Sequence, residues 1–124
     1  MKTFLLSVFL LALSCGVMAD EVPFNQAQFD RAKAAGQPVV VYFHADWCPT
    51  CRVQQPIVAR LATDPQLKAV TIFEADFDTE TALEKALKVS QQSTFVVFSH
   101  GREVSRSTGQ TQEPEIRAIL QKAL

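Results

Sequence analysis

Two cysteines three positions apart, Cys48 and Cys51, follow an apolar run and precede a segment with helical periodicity. Residues i and i+3 lie on the same face of a helix, so two thiols in its first turn can close a disulfide with little backbone movement. The unpaired amides and the positive dipole end at a helix N-terminus favour a thiolate at the first position. The pair therefore predicts a strand–loop–helix unit that carries a redox-active dithiol.

The first 19 residues have the layout of a secretory signal peptide. Lys2 gives a short positive start, an apolar run follows, and Val17 and Ala19 form an A-x-A-like cleavage site. The apolar run is about 15 residues long, whereas a membrane-spanning helix needs roughly 20. We therefore expect cleavage after Ala19, which leaves residues 20–124 as one domain that is periplasmic or secreted.

A second processing route depends on Cys15. The residues from Leu13 to Gly16 weakly resemble a bacterial lipoprotein cleavage site, in which the cysteine is lipidated and becomes the new N-terminus. This alternative would anchor the domain to a membrane through Cys15. It is the one membrane association that the sequence suggests.

Cleavage after Ala19 would leave Cys48 and Cys51 as the only cysteines of the mature chain. A disulfide across such a tight loop constrains little of the chain, so a redox role is favoured over a structural one. The formal net charge is −1 and no basic stripe is present, which argues against a nucleic-acid partner. We expect a monomer that needs no cofactor.

Hydrophobic periodicity predicts alternating helices and strands after a polar lead-in over Asp20–Pro23. The predicted elements are a helix over residues 24–35, a strand over 39–43, a helix over 48–63 that includes Pro56, a strand over 69–77, a helix through Lys88 capped by Asp78 and Thr79, strands over 94–99 and 103–107 as a hairpin, and a helix over 113–124. This order predicts an α/β fold, a mixed central β-sheet with helices on both faces.

The chain resembles the thioredoxin family over essentially the whole of residues 20–124. The resemblance is carried by the Cys-Pro-Thr-Cys sequence, by Pro56, and by the glycines Gly101 and Gly109. The run Phe43–Cys48 most resembles the periplasmic thiol:disulfide interchange members of that family.

This resemblance implies a thioredoxin-like fold and exchange of disulfides with cysteine-containing protein substrates and with a partner that recharges the pair. Cys48 would be the attacking, partly exposed thiolate and Cys51 the buried resolving thiol of a Cys48–Cys51 redox disulfide. Pro49 and Thr50 would tune the potential of the pair. Trp47 would act as a packing lid and as part of the docking surface.

Three positions depart from the family pattern. Ser93, followed by Thr94, stands where the family has a cis-proline, which predicts a trans Gln92–Ser93 bond and a rearranged or looser loop, because a cis bond before a residue other than proline costs about 2.5–4 kcal/mol. Tyr42 stands where many members have a buried aspartate. Glu74 stands where a lysine is common, and we hypothesise that it replaces that aspartate as the carboxylate beneath the resolving cysteine.

Other interpretations remain open at this stage. As an imidazolium, His44 would favour the Cys48 thiolate, although the sequence favours a histidine that fills space at a strand end. Cys48 and Cys51, with His44 as a third ligand, could instead bind a metal ion or an iron–sulfur cluster, in a site opened by the loss of the proline at Ser93. A redox-silent binding or holdase module is a third possibility.

Overall fold

The computed structural model describes residues 20–124, so the predicted signal peptide and Cys15 lie outside the described residues. The elements in chain order are β1 Asp20–Pro23, α1 Gln26–Ala34, β2 Val39–His44, α2 Pro49–Ala62, a 3₁₀ turn Pro65–Leu67, β3 Thr71–Asp76, α3 Thr81–Leu87, β4 Thr94–Ser99, β5 Arg102–Thr108 and α4 Glu113–Gln121. Within this range no helix is long and apolar enough to cross a membrane.

The five strands form one mixed sheet in the order β1-β3-β2-β4-β5. β3 runs parallel to both of its neighbours, β1 and β2, whereas β4 runs antiparallel to β2 and to β5. Val39 to Phe43 in the central strand β2 are buried on both faces, as the continuous apolar run predicted. The predicted α/β fold with a mixed sheet is confirmed.

Each face of the sheet has its own apolar core. On the face covered by α2 and α4, Ile72 and Phe95 pack with Leu61 and Leu120. On the face covered by α1 and α3, the strands bury a second cluster whose larger members are Phe29, Phe73, Leu83 and Phe98. The second core is rich in edge-to-face aromatic pairs, with ring centroids 5.3 Å apart for Phe29 and Phe98.

The prediction of a polar lead-in over Asp20–Pro23 is wrong, because these residues form the edge strand β1. Glu21 pairs with Ile72 and Val22 with Phe73, and the Phe24 amide donates to the Glu74 carbonyl at 2.8 Å. Val22 packs against the core beneath α1. The exposed edge of β3 supplies the pairing partner, and nothing in a short polar segment reveals such a partner.

Two helix starts differ from the predictions. α1 begins at Gln26, because the Asn25 side chain caps it by accepting from the Gln28 amide at 3.0 Å. α3 begins at Thr81, so the predicted cap at Asp78 and Thr79 is wrong. These two residues lie in a turn in which the Asp78 amide donates to the Asp76 side chain, leaving the Asp78 carboxylate free to bond elsewhere.

The β4–β5 hairpin turns through two residues with positive φ, His100 at 52° and Gly101 at 79°. A side chain at Gly101 would bring its Cβ within 3.2 Å of the Lys33 carbonyl oxygen. Glycine is therefore favoured here both by the positive φ and by the lack of space for a Cβ. The turn therefore fixes the hairpin that lies beside β2.

The C-terminal region offers a matched test of the packing. Leu120, on the inner face of α4, is fully buried, whereas Leu124 is 56% exposed. We expect Leu120→Ala to lower the free energy of unfolding by about 2–5 kcal/mol and Leu124→Ala by less than about 0.5 kcal/mol, measured by urea denaturation. Equal losses at the two positions would contradict this packing.

Candidate active site

The two cysteines lie where β2 passes into α2. Cys48 is the N-cap of α2 with an extended backbone, and Pro49 occupies the first helical position, where a missing N–H costs nothing. The Cys51 amide donates to the Cys48 sulfur at 3.3 Å. Cys48 therefore holds the capping position in which a side chain accepts from unpaired helix amides, and this is also where a negative charge is stabilised.

Both cysteines are free thiols and both are buried, Cys48 at 2% exposure and Cys51 at 0%. The prediction that Cys48 is partly exposed is therefore wrong, whereas the prediction that Cys51 is buried is confirmed. Ala45 and the partly buried Phe77 pack against the two sulfurs and supply apolar cover.

Ser93 closes the site. The Gln92–Ser93 bond is trans, as predicted, and Ser93 has a left-handed backbone with a φ of 61°. Its hydroxyl oxygen lies 3.2 Å from the Cys48 sulfur and 2.9 Å from the Cys51 sulfur. The expectation that the loss of the proline would open the site is wrong, because this backbone turns a small polar side chain inward onto both thiols.

The pKa values of the two thiols are shifted in opposite directions. Burial disfavours the Cys48 thiolate, but hydrogen bonds from Cys51, Ser93 and Gln92 outweigh it, so the pKa of Cys48 lies below its ordinary value. Burial and the neighbouring Cys48 raise the pKa of Cys51, which the Ser93 hydroxyl offsets in part. Cys48 is therefore the sulfur that ionises first, the role that the resemblance implied for it.

A buried polar network holds the loop around Ser93. The Tyr42 hydroxyl donates to the Gln54 side-chain oxygen at 3.1 Å, and the Gln54 amide donates to the Gln110 carbonyl at 2.8 Å and to the Ser93 carbonyl at 3.4 Å. Gln54 is fully buried in α2. Sequence reasoning missed Gln54, although its place three residues after Cys51, on the apolar stripe of α2, was a usable signal.

The remaining predicted site residues surround this centre. Trp47 is 54% exposed, and its indole N–H donates to Asp78 at 2.8 Å, which orients an apolar surface beside the cysteines. The Thr94 hydroxyl donates to the Gln91 carbonyl at 2.8 Å and so fixes the residues that precede β4. Thr50 lines a cavity of about 300 Å³ that also borders Ser93.

His44 is engaged by α2 rather than by the thiols. Its Nδ1 lies 2.9 Å from the Gln55 side-chain nitrogen, and its ring lies 5.3 Å from that of Tyr42. This placement favours the interpretation of a strand-end residue that fills space. Among residues 20–124, no three His, Cys, Asp or Glu side chains come together as a metal ligand set.

Glu74 lies on the same sheet face as Tyr42, its partner in the β2–β3 register. It is half-buried, and its side chain hydrogen-bonds that of Glu21 on β1, a contact that sequence reasoning missed together with β1. Burial first, and then Glu74, raise the pKa of Glu21 to about 8. The predicted role of Glu74 beneath Cys51 stays a prediction.

Comparisons with known proteins agree with this geometry. The family model for thioredoxin matches residues 20–122. A thioredoxin of Chlamydia trachomatis is 31% identical over 98 residues, which cover 79% of this chain and 93% of that protein. A thioredoxin H-type of Fagopyrum esculentum is 33% identical over 92 residues, 74% of this chain and 78% of its own length.

Solved structures agree as well. The crystal structure of Trxlp from Edwardsiella tarda has a TM-score of 0.79 and 37% identity, over 82% of this chain and 98% of that chain. A mutant thioredoxin from Halobacterium salinarum has a TM-score of 0.71 and 25% identity, over 85% and 90% of the two chains.

The Glu21–Glu74 pair predicts a pH dependence of stability. The unfolded chain loses the Glu21 proton near the ordinary pKa of 4.5, but the folded protein keeps it to about 8. The folded state thus binds more protons across this window, so the free energy of unfolding falls as the pH rises from about 5 to about 8. For a half-buried carboxyl we expect a fall of about 1–2 kcal/mol.

Urea denaturation at a series of pH values measures this fall. Glu21→Gln should flatten it, whereas Glu115→Gln, at an exposed position on α4, should leave it unchanged. A Glu21→Gln variant with the slope of the parent protein would show that this carboxyl does not hold a proton in the folded state.

Proposed function

We propose that this chain, which belongs to the thioredoxin family and is a thiol–disulfide oxidoreductase, exchanges disulfides with protein substrates through Cys48 and Cys51. We also propose, on the separate ground of its first 19 residues, that it is exported. Thioredoxins act on cysteine-containing protein substrates. The observation that carries the proposal is the placement of both thiols at the start of α2, with the capping position on Cys48.

The order of the disulfide-exchange steps follows from the pKa values of the two thiols, which are shifted in opposite directions. The Cys48 thiolate attacks one sulfur of a substrate disulfide; the substrate S–S bond breaks, a mixed disulfide forms, and the other substrate sulfur leaves with the electron pair. Cys51 then loses its proton to solvent and its thiolate attacks the Cys48 sulfur. The Cys48–Cys51 disulfide forms as the mixed disulfide breaks and the second substrate sulfur leaves. Two electrons pass from the dithiol to the substrate, and the reverse sequence oxidises a substrate dithiol.

Substrate access must pass the cover over Cys48. The half-exposed Gln92 side chain lies beside the Cys48 sulfur and helps to lower the pKa of this thiol, so an incoming substrate has to displace it. The cavity of about 300 Å³ beside it, lined by Thr50 and by residues around Ser93, gives a polar groove that an extended substrate segment can enter. The half-exposed Trp47 supplies an apolar contact at the same site.

Export is supported by where the domain begins. The matched family region begins at residue 20, the residue after the predicted cleavage point at Ala19. The sequence before it has the charged start and apolar run of a signal peptide. We therefore place the working enzyme in the periplasm or outside the cell, with residues 1–19 removed.

Protein disulfide exchange tests the activity directly. With dithiothreitol as the electron source, the wild-type chain should accelerate the reduction of insulin, and Cys48→Ser should abolish the acceleration because the attacking sulfur is absent. Cys51→Ser should accumulate a mixed disulfide with the substrate, visible as a mass increase that a reductant reverses. Equal rates for wild-type and Cys48→Ser chains would exclude this function.

Export is tested by expression of the full chain in a bacterium, followed by fractionation and mass measurement. The mature protein should begin at Asp20 and appear outside the cytoplasm, and Ala19→Phe should block processing because a large residue replaces the small one at the cleavage site. Cys15→Ala should leave processing unchanged. Loss of processing in Cys15→Ala, with a lipid-sized mass addition in the parent, would instead establish lipoprotein anchoring.

A further inference from the structure

The Ser93 hydroxyl touches both sulfurs of the site, and a role for it follows if the proposed exchange activity is correct. We propose that this single hydroxyl stabilises whichever of the two sulfurs carries the negative charge. It donates to the Cys48 thiolate in the free dithiol, and it turns to donate to the Cys51 thiolate once Cys48 is bound in a mixed disulfide.

The distances allow both bonds from one position. The Ser93 oxygen lies 3.2 Å from the Cys48 sulfur and 2.9 Å from the Cys51 sulfur, both within the range for a hydrogen bond to sulfur. A serine hydroxyl has one proton to donate and two lone pairs, and its proton rotates freely about the Cβ–Oγ bond. The change of partner therefore needs rotation of one proton and no movement of the heavy atoms.

During the exchange reaction the negative charge is first on the Cys48 sulfur and later on the Cys51 sulfur, and the Ser93 hydroxyl can donate to each in turn. Before attack the negative charge lies on Cys48, so the hydroxyl donates to Cys48 and accepts from the Cys51 thiol. After attack the Cys48 sulfur is neutral, because its electron pair now forms the bond to the substrate sulfur. When the Cys51 proton leaves to solvent, the hydroxyl donates to the new Cys51 thiolate, which then displaces the substrate.

The backbone of Ser93 is held so that its oxygen stays between the two sulfurs. Its carbonyl accepts from the Gly109 amide at 3.0 Å and from the Gln54 side chain at 3.4 Å. Gln54 is itself held by the Tyr42 hydroxyl, and the Thr94 hydroxyl bonds the Gln91 carbonyl just before the loop. Gln54 is thus a positioning residue that acts through Ser93.

The groups that face the sulfurs from the other elements do not provide this hydroxyl. Tyr42 on β2 is neutral, since burial and the neighbouring cysteines raise its pKa above the ordinary value, and its own hydroxyl donates to Gln54. From the loop before β4, the Gln92 side chain helps to lower the pKa of Cys48. The carboxyl of Glu74 lies on β3, the strand next to β2, and its effect is to raise the pKa of Tyr42.

The test isolates each sulfur in turn. In a Cys51→Ala background the ultraviolet absorbance of the thiolate and the rate of alkylation by iodoacetamide report Cys48 alone, and in a Cys48→Ala background they report Cys51 alone. Each background is titrated with Ser93 intact and with Ser93→Ala. We expect the loss of the hydroxyl to raise both thiol pKa values by about one pH unit, a tenfold loss of thiolate at a pH below them.

A second substitution separates the hydroxyl from the backbone. Ser93→Gly also lacks the hydroxyl, but glycine adopts a φ of 61° without strain. Ser93→Gly and Ser93→Ala should therefore give the same shifts, with near-ultraviolet circular dichroism confirming that the fold is kept. A shift in Ser93→Ala alone would assign the effect to backbone distortion and overturn the proposal.

Two further results would also overturn it: no shift in either background, or a shift at Cys48 with none at Cys51. The titrations do not depend on turnover, so they stay informative if the chain fails to reduce insulin. If the wild-type chain is inactive in exchange but both single-cysteine backgrounds show the shift, the proposed function is contradicted and the hydrogen bonds of Ser93 are still established.

Discussion

The arrangement of the active site depends on one electrostatic constraint: the Cys48 sulfur must carry a negative charge although it is buried. Cys48 is almost fully buried, which raises the free energy of its thiolate. Hydrogen bonds from the surrounding groups stabilise the thiolate and offset this cost. The Cys51 amide at the start of α2 and the Ser93 hydroxyl before β4 supply two of these bonds. They come from distant parts of the chain, so the site exists only when α2 and β4 are both packed on β2.

Much of the fold could be predicted because it follows from local patterns. The continuous apolar run of β2 and the hairpin glycine Gly101 identify their elements without reference to the rest of the chain. β1 could not be predicted in this way, because its stability comes from pairing with β3, about 50 residues downstream. The prediction that Asp78 caps α3 was wrong for a related reason. Its carboxylate accepts a hydrogen bond from Trp47, 31 residues away in the chain, and does not cap the helix that follows it.

The site shows the same division. Cys48 and Cys51 were evident from their spacing, and the importance of Ser93 followed from its departure from a family pattern. The direction of its effect did not follow, because the removal of a proline ring suggests an open site, whereas the left-handed backbone of Ser93 turns its side chain inward. Tyr42, Gln54 and Ser93 form one connected unit, so the replacements at positions 42 and 93 are parts of a single alternative arrangement.

β1 also has a consequence for the order of events during synthesis. Its four residues, 20–23, are the first strand to be made, and their pairing partner β3 begins at Thr71, so among the described residues this edge of the sheet stays incomplete until well over half of the chain has been made. Closing so long a loop is slow compared with forming a helix or a hairpin. A chain that completes its sheet late stays unfolded longer, which suits the proposed export, since the polypeptide would then cross a membrane in an extended form before it folds.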